Sequence, residues 1–163
     1  MWFTGRSFIA SCAALAFAVA LAAPAFAQAD PQVGAWKLNL AKSKYDPGPA
    51  PTSATTTIEA AGQGTKVTVD QTLADGTKRH YTFTGNYDGK DTPITGNNPD
   101  ADTVARTRVD ARTVKTVQKK AGKITVTQTS AVSPDGKTRV VTSTGVNGKG
   151  QKVHNVALYE RQQ

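Results

Sequence analysis

The stretch TKVTVDQTLADGTKRHYTFT, residues 65–84, predicts two β-strands joined by a tight turn. Val67 and Val69 alternate with polar residues before the Asp75-Gly76 pair, and aromatic residues alternate with polar ones after it. Alternation with a period of two places the apolar side chains on one face of a strand. Asp and Gly accept the positive φ that twist-matched hairpin turns require. The stretch is therefore typical of a β-hairpin with one face turned toward a core.

The same pattern extends over most of the chain. Turn sequences rich in Gly, Asn and Asp recur at the spacing of an antiparallel meander and separate runs rich in Val and Thr, which favour strands. No segment of about ten or more residues has a helical period, which indicates an all-β fold. The predicted strands are 33–39, 53–61, 65–73, 77–86, 90–95, 102–109, 112–120, 123–132, 138–146 and 151–160.

Strands as numerous and short as these favour closure. An open sheet would expose two edges, which a barrel or a sandwich removes or shortens. Consecutive hairpins without long crossovers favour an up-and-down barrel over a Greek-key sandwich. The apolar content after residue 27 is also low for a tightly filled sandwich core, since it includes only three Ile and six aromatic residues. We therefore predict an antiparallel up-and-down meander of about ten strands that closes into a barrel.

Residues 1–27 have the pattern of a cleaved signal peptide. Arg6 gives a short positive region, residues 8–23 form an Ala-rich apolar run, and Ala25-Phe26-Ala27 fits the small-x-small cleavage pattern. The pattern predicts a periplasmic or secreted protein whose single β-barrel domain spans residues 28–163.

Three other membrane associations fit the sequence less well. A transmembrane anchor needs about 20 apolar residues, and the apolar run is shorter and stops at Pro24. Residues 9–12 resemble a lipidation motif, but few apolar residues precede Cys12. A membrane-spanning barrel needs an unbroken apolar band with aromatic girdles, which these strands lack. We expect no transmembrane segment in the mature chain.

The composition of residues 28–163 limits the chemistry. These 136 residues contain 19 Lys and Arg against 12 Asp and Glu, a net charge of +7, and no Cys. The charge favours acidic partners, although many soluble exported proteins carry a similar one. The lack of Cys excludes disulfides, thiol nucleophiles and zinc-thiolate sites from this part of the chain.

Two motifs stand at the ends of the mature chain. Gly34 and Trp36 form a Gly-x-Trp on the first predicted strand, and NVALYERQ at 155–162 has the pattern of a final strand. Together they resemble the calycin group, which includes lipocalins and fatty-acid-binding proteins. In that group the Trp plugs one end of the barrel, and a basic residue of the last strand packs across it. The resemblance implies these roles for Trp36 and Arg161. The alternative is a Trp in the core of a sandwich.

The chain departs from the fatty-acid-binding pattern at two places. The segment after the first strand contains Pro47, Pro49 and Pro51, which disfavour a helical lid and favour a stiff extended crossing. The Arg-x-Tyr that holds a carboxylate in that family is reduced here to Ala157 and Tyr159. The opening GAWKLNLAKSKYDPGPAP, residues 34–51, also resembles the start of a group of small exported bacterial proteins, a resemblance that implies no activity.

Catalytic motifs are sparse. Residues 28–163 contain no nucleophile elbow, and their two histidines, His80 and His154, lie next to basic residues in patterns typical of an exposed face. No His, Asp or Glu group has metal-ligand spacing. We therefore expect no enzyme activity, no catalytic residues, no metal and no cofactor.

Basic residues gather between positions 106 and 123. Nucleic-acid binding on a sheet needs aromatic side chains among the charges, and this stretch has none, so we expect no nucleic-acid partner. The stretch also fits a solvated face that protects strand edges. Arg106 and Arg108, two residues apart, share one face of a strand. If that face is the barrel interior, they form a cationic ligand site with Tyr81 and Tyr159.

Two hypotheses of function follow. The first is an exported lipocalin-like binding protein for a small amphipathic or acidic ligand, without catalysis and monomeric. The second is a structural or interaction module whose outer strand surface binds a cell-envelope component or another protein. An interior cavity would favour the first hypothesis, and a filled interior would exclude it.

Overall fold

The computed structural model describes Met1 and residues 29–163. The predicted signal peptide falls on residues 1–27, so all of it except Met1 lies outside the described residues. Among the described residues, no helix has the length and apolar character needed to cross a membrane. The strands are β1 (Gly34–Lys44), β2 (Ser53–Ala61), β3 (Gly64–Thr72), β4 (Lys78–Gly85), β5 (Asp88–Pro93), β6 (Thr95–Gly96), β7 (Thr103–Arg108), β8 (Thr113–Lys120), β9 (Lys123–Val132), β10 (Thr138–Val146) and β11 (Lys152–Arg161).

The strands form one antiparallel sheet that curls into a nearly closed up-and-down barrel. Each long strand pairs with its neighbour along the chain, and β1 pairs with β11, where Trp36 lies opposite Arg161. The prediction of an all-β, up-and-down barrel is confirmed. Most predicted strands agree with the observed ones within a residue, whereas β1 runs five residues beyond its predicted end at residue 39.

The barrel closes through the single segment of residues 88–96. Its first part, β5, pairs with β7, and its last part, β6, pairs with β4, so this segment bridges the two ends of the sheet. The prediction of one strand at 90–95 is therefore corrected to two short strands, which raises the total to eleven. Gly96 has a φ of +105°, and a Cβ there would collide with the carbonyl oxygen of His80. Glycine thus permits β6 to approach β4.

The apolar core is concentrated at one end of the barrel and beside β1. One cluster contains Trp36, Ile58, Val67 and Val132, and a second contains Leu38, Ala54 and Ala157. Polar side chains are buried in the interior as well. They include Thr56, Thr65, Thr116, Gln118 and Ser143. The interior is therefore mixed, with its apolar clusters around Trp36 and beside β1.

Trp36 and Arg161 form the centre of the closed end. Trp36 is fully buried, and its indole Nε1 donates a hydrogen bond to the carbonyl of Gln32 at 2.9 Å. The Arg161 guanidinium lies 4.2 Å from the centroid of the indole ring, a cation–π contact. A Cβ on Gly34 would collide with that guanidinium, which explains the glycine of the Gly-x-Trp motif physically.

The N-terminal segment 29–33 completes this seal. Gln32 is fully buried, and its side-chain amide donates to the carbonyls of Arg112 and Ser130. Arg161 donates to the carbonyls of Pro31 and Val33 at 2.8 and 2.6 Å. The expectation that Trp36 alone closes this end of the barrel is therefore incomplete, because the backbone of residues 31–33 also contacts Trp36 and Arg161.

Replacing Trp36 with Ala is expected to lower the free energy of unfolding by about 3–5 kcal/mol, the usual cost of truncating a buried aromatic side chain. Chemical denaturation measures this change. The control is Ile124→Ala, because the Ile124 side chain is 65% exposed. Ile124 lies on β9, next to the point where the β8–β9 pairing shifts register. An unchanged midpoint in the Trp36 variant would contradict the role given to the indole.

Candidate ligand-binding cavity

A cavity of about 460 Å³ fills the barrel between the Trp36 end and the opposite end. Its walls carry apolar side chains from β2, β3, β4 and β9, including Ile58, Val69, Phe83 and Val126. Hydroxyl and amide groups lie among them. These polar lining residues are Thr56, Thr116, Gln118, Gln128, Ser130 and Ser143. A cavity with mixed walls of this kind can hold a ligand that has both apolar and polar parts.

Arg106 projects from β7 into this cavity. Its side chain is 5% exposed and donates a hydrogen bond to Thr65 Oγ1. The guanidinium carbon lies 4.6 Å from the ring centroid of Tyr87 and 5.7 Å from that of Phe83. Desolvation by burial lowers the pKa of Arg106, since the charged form loses its hydration. The sequence placed this residue in the site, and the structure shows it lining the cavity.

Arg139 on β10 is the lining residue that sequence reasoning missed. It is 5% exposed, and its guanidinium carbon lies 5.3 Å from the Trp36 ring and 5.0 Å from the Tyr159 ring. Its Nε has no hydrogen-bond partner, and no ion pair within residues 29–163 includes it. Desolvation, with the like charges of Arg106 and Arg161, lowers the pKa of Arg139 to about 10.

The sequence contains no usable signal for the position of Arg139. A two-residue turn at Asn147-Gly148 would pair Val146 with Lys149 and would put Arg139 opposite Val156. The loop instead spans residues 147–151, so Val146 pairs with Lys152 and Arg139 lies opposite Tyr159. Residues directly opposite each other in an antiparallel pair share a face, which places the Arg139 guanidinium in the interior with Tyr159.

The two predicted tyrosines also line the cavity. Tyr159 lies on β11 and packs against the cluster around Trp36, and Tyr81 lies on β4. Desolvation by burial raises the pKa of both phenols, so both are neutral hydrogen-bonding groups at physiological pH. The structure thus brings three of the four predicted ligand-binding residues, Tyr81, Arg106 and Tyr159, to one cavity.

Arg108 is the predicted ligand-binding residue that lies apart from this cavity. Its Nη2 donates to Asp30 Oδ2 at 2.6 Å, and its guanidinium lies 4.0 Å from the Tyr87 ring. Tyr87 also donates to the same carboxylate oxygen at 2.6 Å. Arg108 and Arg106 share a face as expected, but Arg108 lies nearer the strand end, where it fastens the N-terminal segment.

The mouth of the cavity is narrowed by loops. Residues 45–51 contribute Tyr45, Pro47, Pro49 and Pro51 to the lining, so this crossing segment covers part of the opening. The segment contains no helix, in line with the extended crossing that its prolines predict. Two hydrogen bonds hold the segment to β11, because Asp46 donates its N–H to Asn155 Oδ1 and accepts from the N–H of His154.

A second contact joins two other loops at the mouth. Arg79 Nη1 lies 2.8 Å from Asp100 Oδ2, and Asp100 Oδ1 accepts the N–H of Gly148 at 2.7 Å. The contact ties β4 to the loop at 97–102 and to the turn between β10 and β11. Asp100 is therefore already paired within the protein.

The histidines lie on the outer face of the barrel. His80 is exposed, and its Nδ1 is 2.7 Å from Asp70 Oδ1 on the neighbouring strand. His154 is also exposed. Within residues 29–163 there is no cluster of three or more His, Cys, Asp or Glu side chains that would hold a metal ion.

No protein-family model matches the chain, and no curated protein matches it significantly. The nearly closed antiparallel barrel is compatible with the calycin-like fold that the Gly-x-Trp resemblance implies. The geometry of the cavity itself therefore carries the functional argument.

Replacing Asp30 with Asn is expected to cost about 1–3 kcal/mol near neutral pH, because it removes a charged hydrogen-bond partner of Arg108. Burial alone would raise the pKa of Asp30, but hydrogen bonds from Arg108 and Tyr87 hold it below its usual value. The contribution of the carboxylate is therefore complete above the unfolded pKa of about 4 and is lost as pH falls through the lowered folded pKa.

Urea denaturation of both proteins over this pH range tests the expectation. The difference in stability between wild type and Asp30→Asn should narrow below about pH 4. The control is Asp46→Asn, because Asp46 is exposed. A difference that is constant with pH would show that the Asp30 carboxylate does not stabilise the closed end through its charge.

Proposed function

We propose that the chain is an exported, lipocalin-like binding protein that holds a small amphipathic or acidic ligand inside its barrel without catalysing a reaction. The observation that carries this proposal is the guanidinium of Arg139, which is buried beside a cavity and has no carboxylate partner within residues 29–163. A buried charge without a partner destabilises a fold by several kcal/mol. An anion in the cavity would offset that cost.

The position of the two cavity guanidinium groups supports an orientation for the ligand. Arg106 and Arg139 both contact aromatic rings near the closed end, where Arg139 lies beside Trp36. The mouth carries the apolar side chains of Pro47, Pro49 and Leu73 beside the Arg79–Asp100 ion pair, and the cavity walls include Val69 and Val126. An acidic head at the closed end and an apolar part toward the mouth would match these surroundings.

The hollow interior favours a carrier over the alternative of an interaction module. A module that works through its outer strand surface has no need of an interior cavity, and a tightly filled interior would give it more stability. Here the interior combines a cavity of about 460 Å³ with buried cations. The absence of catalysis is part of the proposal and fits the outward position of His80 and His154.

Arg139→Met tests the proposal with the amphipathic anion anilinonaphthalene sulfonate as the probe. We expect the variant to bind the probe at least about tenfold more weakly, the loss of one charged contact. Trp36, which lies beside Arg139, is the only Trp of residues 28–163, and its fluorescence reports occupancy once the leader is removed. The variant itself is expected to be as stable as wild type or more so, because Met replaces an unpaired buried charge.

The matched control for this experiment is Arg112→Met, since Arg112 is exposed at the closed end. That variant should bind the probe as wild type does. Equal affinity in the wild type and Arg139→Met would contradict binding at the interior guanidinium. Native mass spectrometry of protein purified from its own host would identify the class of any retained ligand.

Export is tested separately by the mass of the mature protein. Expression in a Gram-negative host should yield a periplasmic product that begins at Gln28. Cleavage there leaves Asp30 and Gln32 in place to close the barrel. Ala27→Asp should retain the leader, because the cleavage site needs a small residue. A full-length product of the wild type in the cytoplasm would contradict export.

A further inference from the structure

Four guanidinium groups meet in the half of the barrel next to Trp36. They belong to Arg106, Arg108, Arg139 and Arg161. Within the described residues, the carboxylate that contacts this group is Asp30. The two acids that line the cavity, Asp75 and Asp100, lie on loops at the mouth. The closed half of the interior therefore has more cations than carboxylates.

Two of the four cations are already satisfied by the protein. Arg108 is paired with Asp30. Arg161 donates to three backbone carbonyls, those of Gly136, Val33 and Pro31. Arg161 keeps its positive charge but is not part of the cavity lining, so the cations that a ligand in the cavity can contact at this end are Arg106 and Arg139.

Arg106 and Arg139 face one region of the cavity. Arg106 lies 5.7 Å from the ring of Phe83 and Arg139 lies 5.3 Å from the ring of Trp36, and Phe83 packs against the cluster that contains Trp36. Two like charges in one interior region repel each other. Repulsion of this kind is strong where water is excluded. A ligand with one negative charge would leave one cation uncompensated, whereas two negative charges on a compact head group would neutralise both.

The geometry of the two arginines suits an oxyanion. Aromatic rings lie against both guanidinium groups, Tyr87 and Phe83 at Arg106 and Trp36 and Tyr159 at Arg139. A guanidinium stacked on a ring keeps its N–H groups in its own plane, where they can donate in pairs to the oxygens of a phosphate or carboxylate. Such a group binds an anion at its edge.

We infer that the cavity selects amphipathic ligands whose head group is a compact dianion, of which a phosphate monoester is the simplest example. Arg106 and Arg139 together hold the head group near the closed end, and the apolar part of the ligand extends toward the mouth. This inference rests on the proposed function and narrows it from acidic ligands in general to doubly charged ones.

Octyl phosphate and octyl sulfate test the inference, because both ligands have an octyl chain and a tetrahedral head group and they differ in charge. The second ionisation of a phosphate monoester lies near pH 6, so octyl phosphate changes from monoanion to dianion between about pH 5 and about pH 8, whereas a sulfate monoester stays a monoanion. We expect octyl phosphate to bind about tenfold more tightly at the higher pH, in line with that ionisation. Octyl sulfate should change less than about twofold.

The protein adds little pH dependence of its own over this range. The charged lining groups are the cations Arg79, Arg106, Arg139 and Lys149 and the carboxylates Asp75 and Asp100, and the phenols are Tyr45, Tyr81 and Tyr159. The lining contains no histidine.

Variants and a neutral ligand separate the outcomes. Arg106→Met and Arg139→Met should each reduce the pH dependence for octyl phosphate to less than about threefold, because one cation suffices for a monoanion. Arg112→Met is the control and should keep the full dependence. Isothermal calorimetry measures all affinities below the micellar concentration of each ligand.

Two results would overturn the inference in distinguishable ways. If both ligands bind equally at the higher pH and lose affinity in Arg139→Met, the cavity binds acids without preference for a dianion, and only the proposed function stands. If octanol binds as well as either anion, or if no ligand binds, both the inference and the proposed function fail.

Discussion

The stacking of Arg161 on Trp36 joins the first strand of the barrel to the last. These two residues lie opposite each other in the β1–β11 pair, so the contact supports the register that joins the two halves of the sheet. The same guanidinium donates to carbonyls of the N-terminal segment and of the turn between β9 and β10. The pairing of the terminal strands and the sealing of one end therefore both involve this side chain, and Gly34 supplies the space that it occupies.

The distribution of apolar residues follows from this arrangement. A chain with few large apolar side chains cannot fill a barrel of this size at the density of a normal protein interior. This chain places most of those residues around Trp36 and against β1, where they stabilise the closure. The remaining interior is lined with Thr, Gln and Ser, which hydrogen-bond or accept water and so tolerate a cavity. The hollow is thus a consequence of composition as much as of topology.

Period-two alternation and Asp-Gly or Asn-Gly turns predicted the strand boundaries, the all-β class and the closure of the barrel, because these are local or nearest-neighbour properties. The division of the bridging segment at 88–96 was not predictable in the same way. It depends on β5 pairing with β7 while β6 pairs with β4, and these two partners lie near opposite ends of the sheet. The seal by residues 29–33 was likewise beyond local patterns. Gln32 gives no sequence signal for burial, and its environment comes from strands about 80 to 100 positions away along the chain.

The candidate site shows a similar division. The two-residue spacing on β7 predicted that Arg106 and Arg108 lie on the same face of the strand. Arg106 lines the cavity, whereas Arg108 lies nearer the end of the barrel and pairs with Asp30. That difference in position along the barrel depends on how the whole sheet is assembled. Arg139 escaped notice because an Arg between Thr and Val on a strand is usually an exposed residue. The length of the loop at 147–151 decides the face of Arg139, because it sets the register that puts Arg139 opposite Tyr159.

The cost of the interior cations gives the strongest reason to connect this fold with binding. A structural role alone would be served better by Met or Leu at position 139, because well-packed apolar residues commonly equal or exceed buried charges in stability. Aromatic contacts with Trp36 and Tyr159 lower the free-energy cost of burying the Arg139 guanidinium. They leave its Nε without a hydrogen-bond partner among the described residues. A protein that holds such a group beside a cavity gives up stability there, and affinity for an anion is the gain that we propose balances the loss.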